Sequence, residues 1–324
     1  MTASSYKDVD SLVAETFRLY IQGEVAQACD LITAGLPAFP DNTRYLQAMR
    51  AMLLACLKQT GPALDVLRNL IESGYFISDL DWNDGDFDSI REDPEFHRLH
   101  ALSDQNMAAV QESARPALTT LVPDGGKKPL PLLMVLHGNR SSVAWHRAHW
   151  FPAVEAGWLA ALPQSSQLAG LDSFDQPAYS WNDENIVDWE IREHLETLRQ
   201  EYHYDTARVI LAGFSRGGEN VIRLALTGAI ETRGFIAVCP GGPYTGNPEH
   251  WTPIIAAGKK RAVRGVIITG GQDHHSAPNT LILIERLHAA GIACEHTHYP
   301  DMGHTYPPDF AAKLTEMLAA LGKK

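Results

Sequence analysis

The stretch that most constrains this chain is a predicted strand, a serine between two glycines and a predicted helix in direct succession. Residues 209–212 read Val-Ile-Leu-Ala, an apolar run typical of a strand buried on both faces. Residues 213–217 read Gly-Phe-Ser-Arg-Gly, and apolar residues then recur at helical spacing through 219–226. Glycines around Ser215 permit a sharp strained turn, because neighbouring backbone can pass closely where no Cβ intervenes. Ser215 is therefore the candidate nucleophile.

A serine hydroxyl requires a base within hydrogen-bonding distance and an acid that orients this base. The chain after Ser215 offers both, each beyond the end of a predicted strand. An apolar run ends in Gly-Gly-Gln and leads to Asp273, and a turn after the next strand carries His304. Asp301 and Glu295 are alternative acids, but the position after a Gly-Gly strand end favours Asp273. We predict His304 as the general base and Asp273 as the acid.

These residues carry a resemblance to a known superfamily. Residues 113–324 resemble a small serine hydrolase of the α/β-hydrolase superfamily, closest to its dienelactone-hydrolase and carboxylesterase-like members. The order Ser215, Asp273, His304 is the order that this superfamily uses. The resemblance implies a catalytic triad and a reaction that requires no cofactor.

A second feature of the resemblance lies upstream of the serine. Residues 132–136 form an apolar run, and 137–139 read His-Gly-Asn, similar to the superfamily's strand followed by an oxyanion loop. The resemblance implies that the backbone N–H groups of Asn139 and Arg216 form the oxyanion hole. Such donors stabilise charge that exists only in the tetrahedral intermediate.

Apolar runs and helical patterns alternate through the resembling region. This alternation predicts a doubly wound, mostly parallel α/β sheet of the α/β-hydrolase type. The predicted strands are 117–122, 132–136, 158–162, 208–214, 234–239, 264–269 and 294–299. Ligands bind at the carboxyl ends of strands in such sheets, so the aromatic residues of two long connections, Tyr179, Trp181 and Tyr244, are candidates for the substrate pocket. Packing of these side chains onto the sheet is the alternative.

The first part of the chain predicts a small all-α helical-repeat domain. The predicted helices are 8–22, 24–35, 43–58 and 61–74. Ala28 and Ala63 begin similar helices 35 residues apart, which resembles a tetratricopeptide repeat, although Tyr75 stands where the second copy would carry proline. We therefore expect a tetratricopeptide-like domain at 1–112 and a catalytic domain at 113–324. The helical domain is expected to serve a protein partner or a homo-oligomer.

Composition limits the classes of partner. The net charge of −12 disfavours nucleic acid and anionic lipid, and no apolar run is long enough to span a membrane. The N-terminal residues do not resemble a signal peptide. Four cysteines lie far apart in apolar surroundings, which favours reduced thiols and a cytoplasmic location: Cys29, Cys56, Cys239 and Cys294.

Histidines raise the alternative of a metal site. His274 and His275 follow Asp273 directly, and His296 and His298 alternate on one predicted strand. No His-Glu-x-x-His pattern or cysteine pair accompanies them. We predict neither metal nor cofactor.

The sequence predicts acyl transfer from a small-molecule substrate, an uncharged carboxylic ester of modest size, to water through an acyl-enzyme. A peptidase or a thioesterase with the same triad is the alternative within enzymes. A non-catalytic interaction scaffold is the alternative from a different class.

Overall fold

A computed structural model describes residues 6–125 and 129–323 of the 324-residue chain. These residues fall into two compact units. One unit holds the described residues up to Ala114 together with Leu168–Ala178. The other holds Arg115–Gln167 and the chain from Tyr179 onward.

The first unit is built from helices that pack in chain order. Its helices are α1 (Val9–Ile21), α2 (Val25–Gly35), α3 (Thr43–Cys56), α4 (Thr60–Glu72), α5 (Asp79–Trp82) and α6 (Pro94–Ser113). Each of the first four lies within two residues of a helix predicted from periodicity. Asp8 and Asp93 cap α1 and α6 by accepting backbone N–H groups of the first turn. Fully buried Leu12, Leu46 and Leu67 contribute to one apolar core.

In the part of the chain that the structure describes, the second unit contains a seven-stranded sheet. Its strands lie side by side in the order β1-β3-β2-β6-β7-β8-β9. The strands are β1 (Ala117–Leu121), β2 (Leu132–Leu136), β3 (Leu159–Gln164), β6 (Val209–Phe214), β7 (Gly234–Val238), β8 (Arg264–Gly270) and β9 (Ala293–Tyr299). Only β1 runs antiparallel to its neighbour. The doubly wound, mostly parallel sheet predicted from the sequence is thereby confirmed.

Helices cover both faces of this sheet. They are α7 (Val143–Trp150), α8 (Pro152–Glu155), α9 (Glu184–Tyr202), α10 (Arg216–Thr227), α11 (Pro243–Gly246), α12 (Trp251–Gly258), α13 (Ala277–Ala289) and α14 (Phe310–Gly322). Strands β2 and β6 are almost wholly buried, and alternate residues of each enter two separate apolar cores. This explains why these strands read as continuous apolar runs.

One of the two long connections contains a two-stranded hairpin, which the sequence did not predict. It consists of β4 (Gln167–Leu171) and β5 (Pro177–Ser180). Within the first unit, Asn42 donates to the backbone oxygen of Ser173 at 2.7 Å, and Arg44 lies 3.7 Å from the carboxylate of Asp175. Leu171 packs against the apolar core of the helices. Residues 168–178 of the hairpin therefore belong to the helical unit, although they lie between two sequence segments of the other unit.

Within residues 6–125 and 129–323, no helix combines the length and the apolar character that crossing a bilayer requires.

Candidate active site

Ser215 lies in a strained turn between β6 and α10. Its backbone angles are φ 52° and ψ −119°, which non-glycine residues rarely adopt. A Cβ on Gly213 would lie 2.4 Å from the backbone of Gly217, and one on Gly217 would lie 2.3 Å from the carbonyl oxygen of Leu136. Both glycines are thus required for the close approach of β2, β6 and α10.

Backbone hydrogen bonds hold this turn against the neighbouring strand. Ser215 donates its N–H to Val238 at the end of β7, and Gly241 donates to the carbonyl of Ser215. Ser215 is also the residue before the first turn of α10, so its hydroxyl lies at a helix N-terminus, where negative charge is stabilised.

Three side chains meet at the carboxyl edge of the sheet. The Nε2 atom of His304 lies 2.8 Å from the Oγ atom of Ser215, and its Nδ1 atom lies 2.7 Å from Oδ2 of Asp273. Asp273 follows β8 and His304 follows β9, and these adjacent strands run parallel. The structure brings together the three residues that the sequence singled out. The alternative acids Asp301 and Glu295 are exposed and do not pair with His304.

The surroundings of Asp273 keep its carboxyl group ionised. Burial acts to raise its pKa, but hydrogen bonds from His304 and from the N–H of Ser276 outweigh burial and lower the pKa below its usual value. An ionised Asp273 accepts a hydrogen bond from the protonated Nδ1 of His304. The Nε2 atom is then free to accept from the hydroxyl of Ser215.

The loop after β2 lies beside the serine. A Cβ on Gly138 would lie 3.6 Å from the Cβ of Ser215. The N–H of Gly138 is already donated to Nε2 of His146, at 3.2 Å. Among the described residues, no acceptor pairs with the N–H of Asn139 or with that of Arg216. Both N–H groups are therefore available to an acceptor near the turn.

The side chain of His137 fixes the orientation of this loop by a hydrogen bond to its backbone. Its Nε2 atom accepts from the N–H of Ser165 and from the amide of Gln164, so Nδ1 carries the proton and donates to the carbonyl of Gly138. Complete burial lowers the pKa of His137 to about 4. Trp181 donates its indole N–H to the carbonyl oxygen of His137. The imidazole is thus a neutral structural group.

His146 is a residue that the sequence analysis missed. Its Nε2 atom accepts from Gly138 and from the hydroxyl of Ser141, and its Nδ1 atom lies 2.8 Å from the hydroxyl of Tyr306. Tyr306 is two residues from His304. His146 therefore joins the loop after β2 to the loop that carries the imidazole of the site. No local motif signals this role, because the link spans 160 residues.

The pocket candidates have different environments. Trp181 is fully buried and packs in the core of the second unit, which corrects the expectation that its side chain lines an open pocket. Its carbonyl oxygen instead accepts from the side chains of Arg216 and Asn220. Tyr179 is half-buried, and its backbone pairs with that of Ser141. The hydroxyl of Tyr244 donates to the carboxylate of Glu184 at the start of α9.

A buried ion pair supports the turn from the other side. Arg216 and Glu219 pair within the first turn of α10, and both side chains are less than one-tenth exposed. The second oxygen of Glu219 accepts the N–H of Thr245 at 2.6 Å. A Cβ on Gly242 would overlap the carboxylate, so glycine is required there too. The pair thereby ties the serine turn to the loop after β7.

The histidines considered for a metal site lie in two places. His274 and His275 are exposed. His296 and His298 both contact the hydroxyl of Thr269, at 2.8 and 3.0 Å.

Comparisons with known proteins support the fold. No known protein-family profile matches this chain, and no curated protein sequence matches it. An uncharacterised protein from Bacillus cereus ATCC 10987 has a similar structure, with a TM-score of 0.53 and 22% identity over 97% of this chain and 98% of its own. Esterase PE8 has a TM-score of 0.52 and 18% identity over 64% of this chain and 99% of its own. The chain has an α/β-hydrolase fold with an N-terminal helical region.

Proposed function

We propose that this chain is a serine hydrolase that cleaves a carboxylic ester. The observation that carries the proposal is the continuous hydrogen-bonded line from the hydroxyl of Ser215 through His304 to Asp273, at 2.8 and 2.7 Å. A nucleophile, a base and an orienting acid in this order are what acyl transfer requires. The similarity in fold to esterase PE8 supports the same reaction class.

The reaction would proceed in two steps. Ser215 attacks the carbonyl carbon while His304 accepts its proton at Nε2, and Asp273 holds the resulting imidazolium. His304 then returns this proton to the leaving alcohol, and an acyl-enzyme remains. A water molecule, activated by the same imidazole, hydrolyses the acyl-enzyme and restores the serine.

The N–H groups of Asn139 and Arg216 would stabilise the negative charge of each tetrahedral intermediate. Both lie unpaired among the described residues, whereas the N–H of Gly138 is occupied by His146. The N-terminus of α10 adds a favourable dipole at the same point. Losing one such donor typically lowers turnover by about 10² to 10³-fold.

A fluorophosphonate probe tests the proposal directly. We expect covalent labelling of the folded chain at Ser215 and no labelling of the Ser215→Ala variant, with Ser166→Ala as the matched control. Absence of labelling in folded wild-type protein would contradict the proposal and favour a non-catalytic scaffold.

The choice of acyl substrate is a separate measurement. We expect turnover of short aryl esters to exceed that of acyl-CoA thioesters and of aminoacyl amides. Preference for a thioester or an amide would keep the triad and reassign the chain to a thioesterase or a peptidase.

A further inference from the structure

A buried thiol lies behind the acid and the imidazole of the site. Cys239 follows β7 and is 1% exposed. Its Sγ atom, a carboxylate oxygen of Asp273 and a ring nitrogen of His304 all lie within 4.8 Å of one another. The three residues follow three adjacent strands, so the sheet itself fixes this grouping.

The proposed hydrolysis does not use this thiol. Its S–H group contacts the carbonyl oxygens of Gly303 and Thr305, at 3.9 and 3.5 Å, on either side of His304. Burial, followed by the charge of Asp273, raises the pKa of Cys239 to about 12. The thiol is therefore protonated at neutral pH and is a poor nucleophile.

We propose that Cys239, Asp273 and His304 form a binding site for a thiophilic divalent cation such as Zn²⁺, and that occupancy of this site inhibits the enzyme. Sulfur, nitrogen and oxygen from one residue each are donors that Zn²⁺ accepts in tetrahedral sites, with water in the fourth position. Zinc bonds of about 2.0 to 2.3 Å place tetrahedral ligand atoms about 3.3 to 3.5 Å apart. To reach this arrangement, the 2.7 Å between Nδ1 of His304 and Oδ2 of Asp273 must lengthen, and the sulfur must close on both from a separation of at most 4.8 Å. Mg²⁺ and Ca²⁺ prefer oxygen ligands and do not fit this donor set.

Binding changes the protonation of two ligands. The thiol of Cys239 loses its proton to solvent as the zinc–sulfur bond forms, and Asp273 binds as the carboxylate that it already is. The proton on Nδ1 of His304 moves to Nε2 as Nδ1 binds the metal, so the imidazole stays neutral. One proton is released for each ion, and no electron is transferred.

This exchange blocks the base. With Nε2 protonated, His304 has no lone pair to accept the proton of Ser215. The inhibition rests on the proposed function, whereas the binding of the metal does not. Zinc is expected to lower kcat and to leave KM nearly unchanged, because Cys239 and Asp273 are both buried.

Cobalt(II) is the probe for binding, since it reports thiolate coordination by an absorption band in the near ultraviolet. We expect full-length wild-type protein to show this band with one equivalent of Co²⁺ and to lose it when Zn²⁺ is added. The Cys239→Ser variant should not show the band. Cys294→Ser is the matched control, because Cys294 is also buried, has a pKa also raised to about 12 and lies outside the grouping.

Activity provides the second readout. Micromolar Zn²⁺ is expected to lower kcat of the wild type at least tenfold, and a chelator should restore it. Cys239→Ser should keep basal kcat within about twofold and lose at least tenfold in sensitivity to Zn²⁺.

A missing cobalt band in wild-type protein, or equal binding and inhibition in folded Cys239→Ser, would overturn the proposal. If Cys239→Ser does not fold, the wild-type band and its persistence in Cys294→Ser decide the binding question. A chain without hydrolase activity would still be judged by the cobalt band.

Discussion

Replacing His146 with phenylalanine tests whether the hydrogen bonds of His146 hold the loop after β2 in place. Phenylalanine keeps an aromatic ring against Phe214, whose ring centre lies 5.4 Å from that of His146, but it removes both ring nitrogens. The N–H of Gly138 then loses its acceptor, and the hydroxyl of Tyr306 loses one of its two partners, because Trp150 still donates to it at 2.9 Å. An unpaired buried donor costs about 1 to 3 kcal/mol, and a further lost hydrogen bond costs about 1 kcal/mol. We expect the free energy of unfolding to fall by roughly 2 to 4 kcal/mol.

The same substitution should loosen the peptide that carries the N–H of Asn139. Complete loss of an oxyanion donor costs about 10² to 10³-fold in kcat, so a displaced donor is expected to cost about 10 to 100-fold. KM should change by less than about twofold, because the donor acts on the tetrahedral intermediate. Burial lowers the pKa of His146 to about 3, so the imidazole does not titrate near neutral pH. The pH–rate profile should therefore keep its shape.

His149→Phe is the matched control. His149 lies on the same helix and stacks on Tyr306 with ring centres 4.0 Å apart, and a phenyl ring can make the same contact. Steady-state kinetics on an aryl ester and urea denaturation compare the two variants. A folded His146→Phe protein whose kcat lies within twofold of that of His149→Phe would refute the anchoring role.

Three further predictions concern the turn that holds Ser215, the stability of the protein at acid pH and the catalytic triad. Gly217→Ala should abolish folding or lower the free energy of unfolding by several kcal/mol, because its Cβ would lie 2.3 Å from a backbone oxygen. Its control is Gly61→Ala on α4, whose Cβ would meet nothing within 4 Å. In urea titrations this control should raise the free energy of unfolding by about 0.5 to 1 kcal/mol. Burial gives His137 a pKa of about 4 in the folded protein, against about 6.5 in the unfolded chain. The unfolded chain therefore binds a proton more readily, and the free energy of unfolding should fall by roughly 3 kcal/mol as the pH falls from 6.5 to 4. The His137→Asn variant should show a shallower decline over this pH range, and an unchanged slope would count against a buried neutral imidazole. Asp273→Asn should lower kcat by roughly 10⁴-fold by stabilising the wrong tautomer of His304, with a loss below tenfold as the contrary result.

Local sequence patterns were sufficient for the sheet and for the residues at its edge. The strand before Ser215 is buried on both faces, so its apolar run is continuous, and the glycines around the turn are fixed by backbone contacts that no Cβ permits. Asp273 and His304 each follow a strand, and parallel strands bring their carboxyl ends to one edge. Periodicity likewise located the first four helices, since each has an apolar stripe that it buries on its neighbour.

The features that sequence reasoning missed depend on distant partners. The hairpin at 167–180 is held by Asn42 and Arg44, which lie more than 120 residues earlier. The sequence predicts Trp181 as a pocket residue because its connection leaves the carboxyl end of a strand, but the side chain is fully buried and its indole N–H is used inside the core. No local pattern carries such information, because burial of a loop side chain is decided by what packs over it.

The hairpin makes the helical unit discontinuous along the chain. Residues up to Ala114 and Leu168–Ala178 form one unit, so the polypeptide passes between the two units three times. A single proteolytic cut after Ala114 would give two fragments that share one fold, as in fragment complementation, with Asn42 still bonded to Ser173. Removing the residues up to Ala114 altogether would leave Leu171 without its apolar partners. Excising the helical unit cleanly also requires a short turn in place of 168–178.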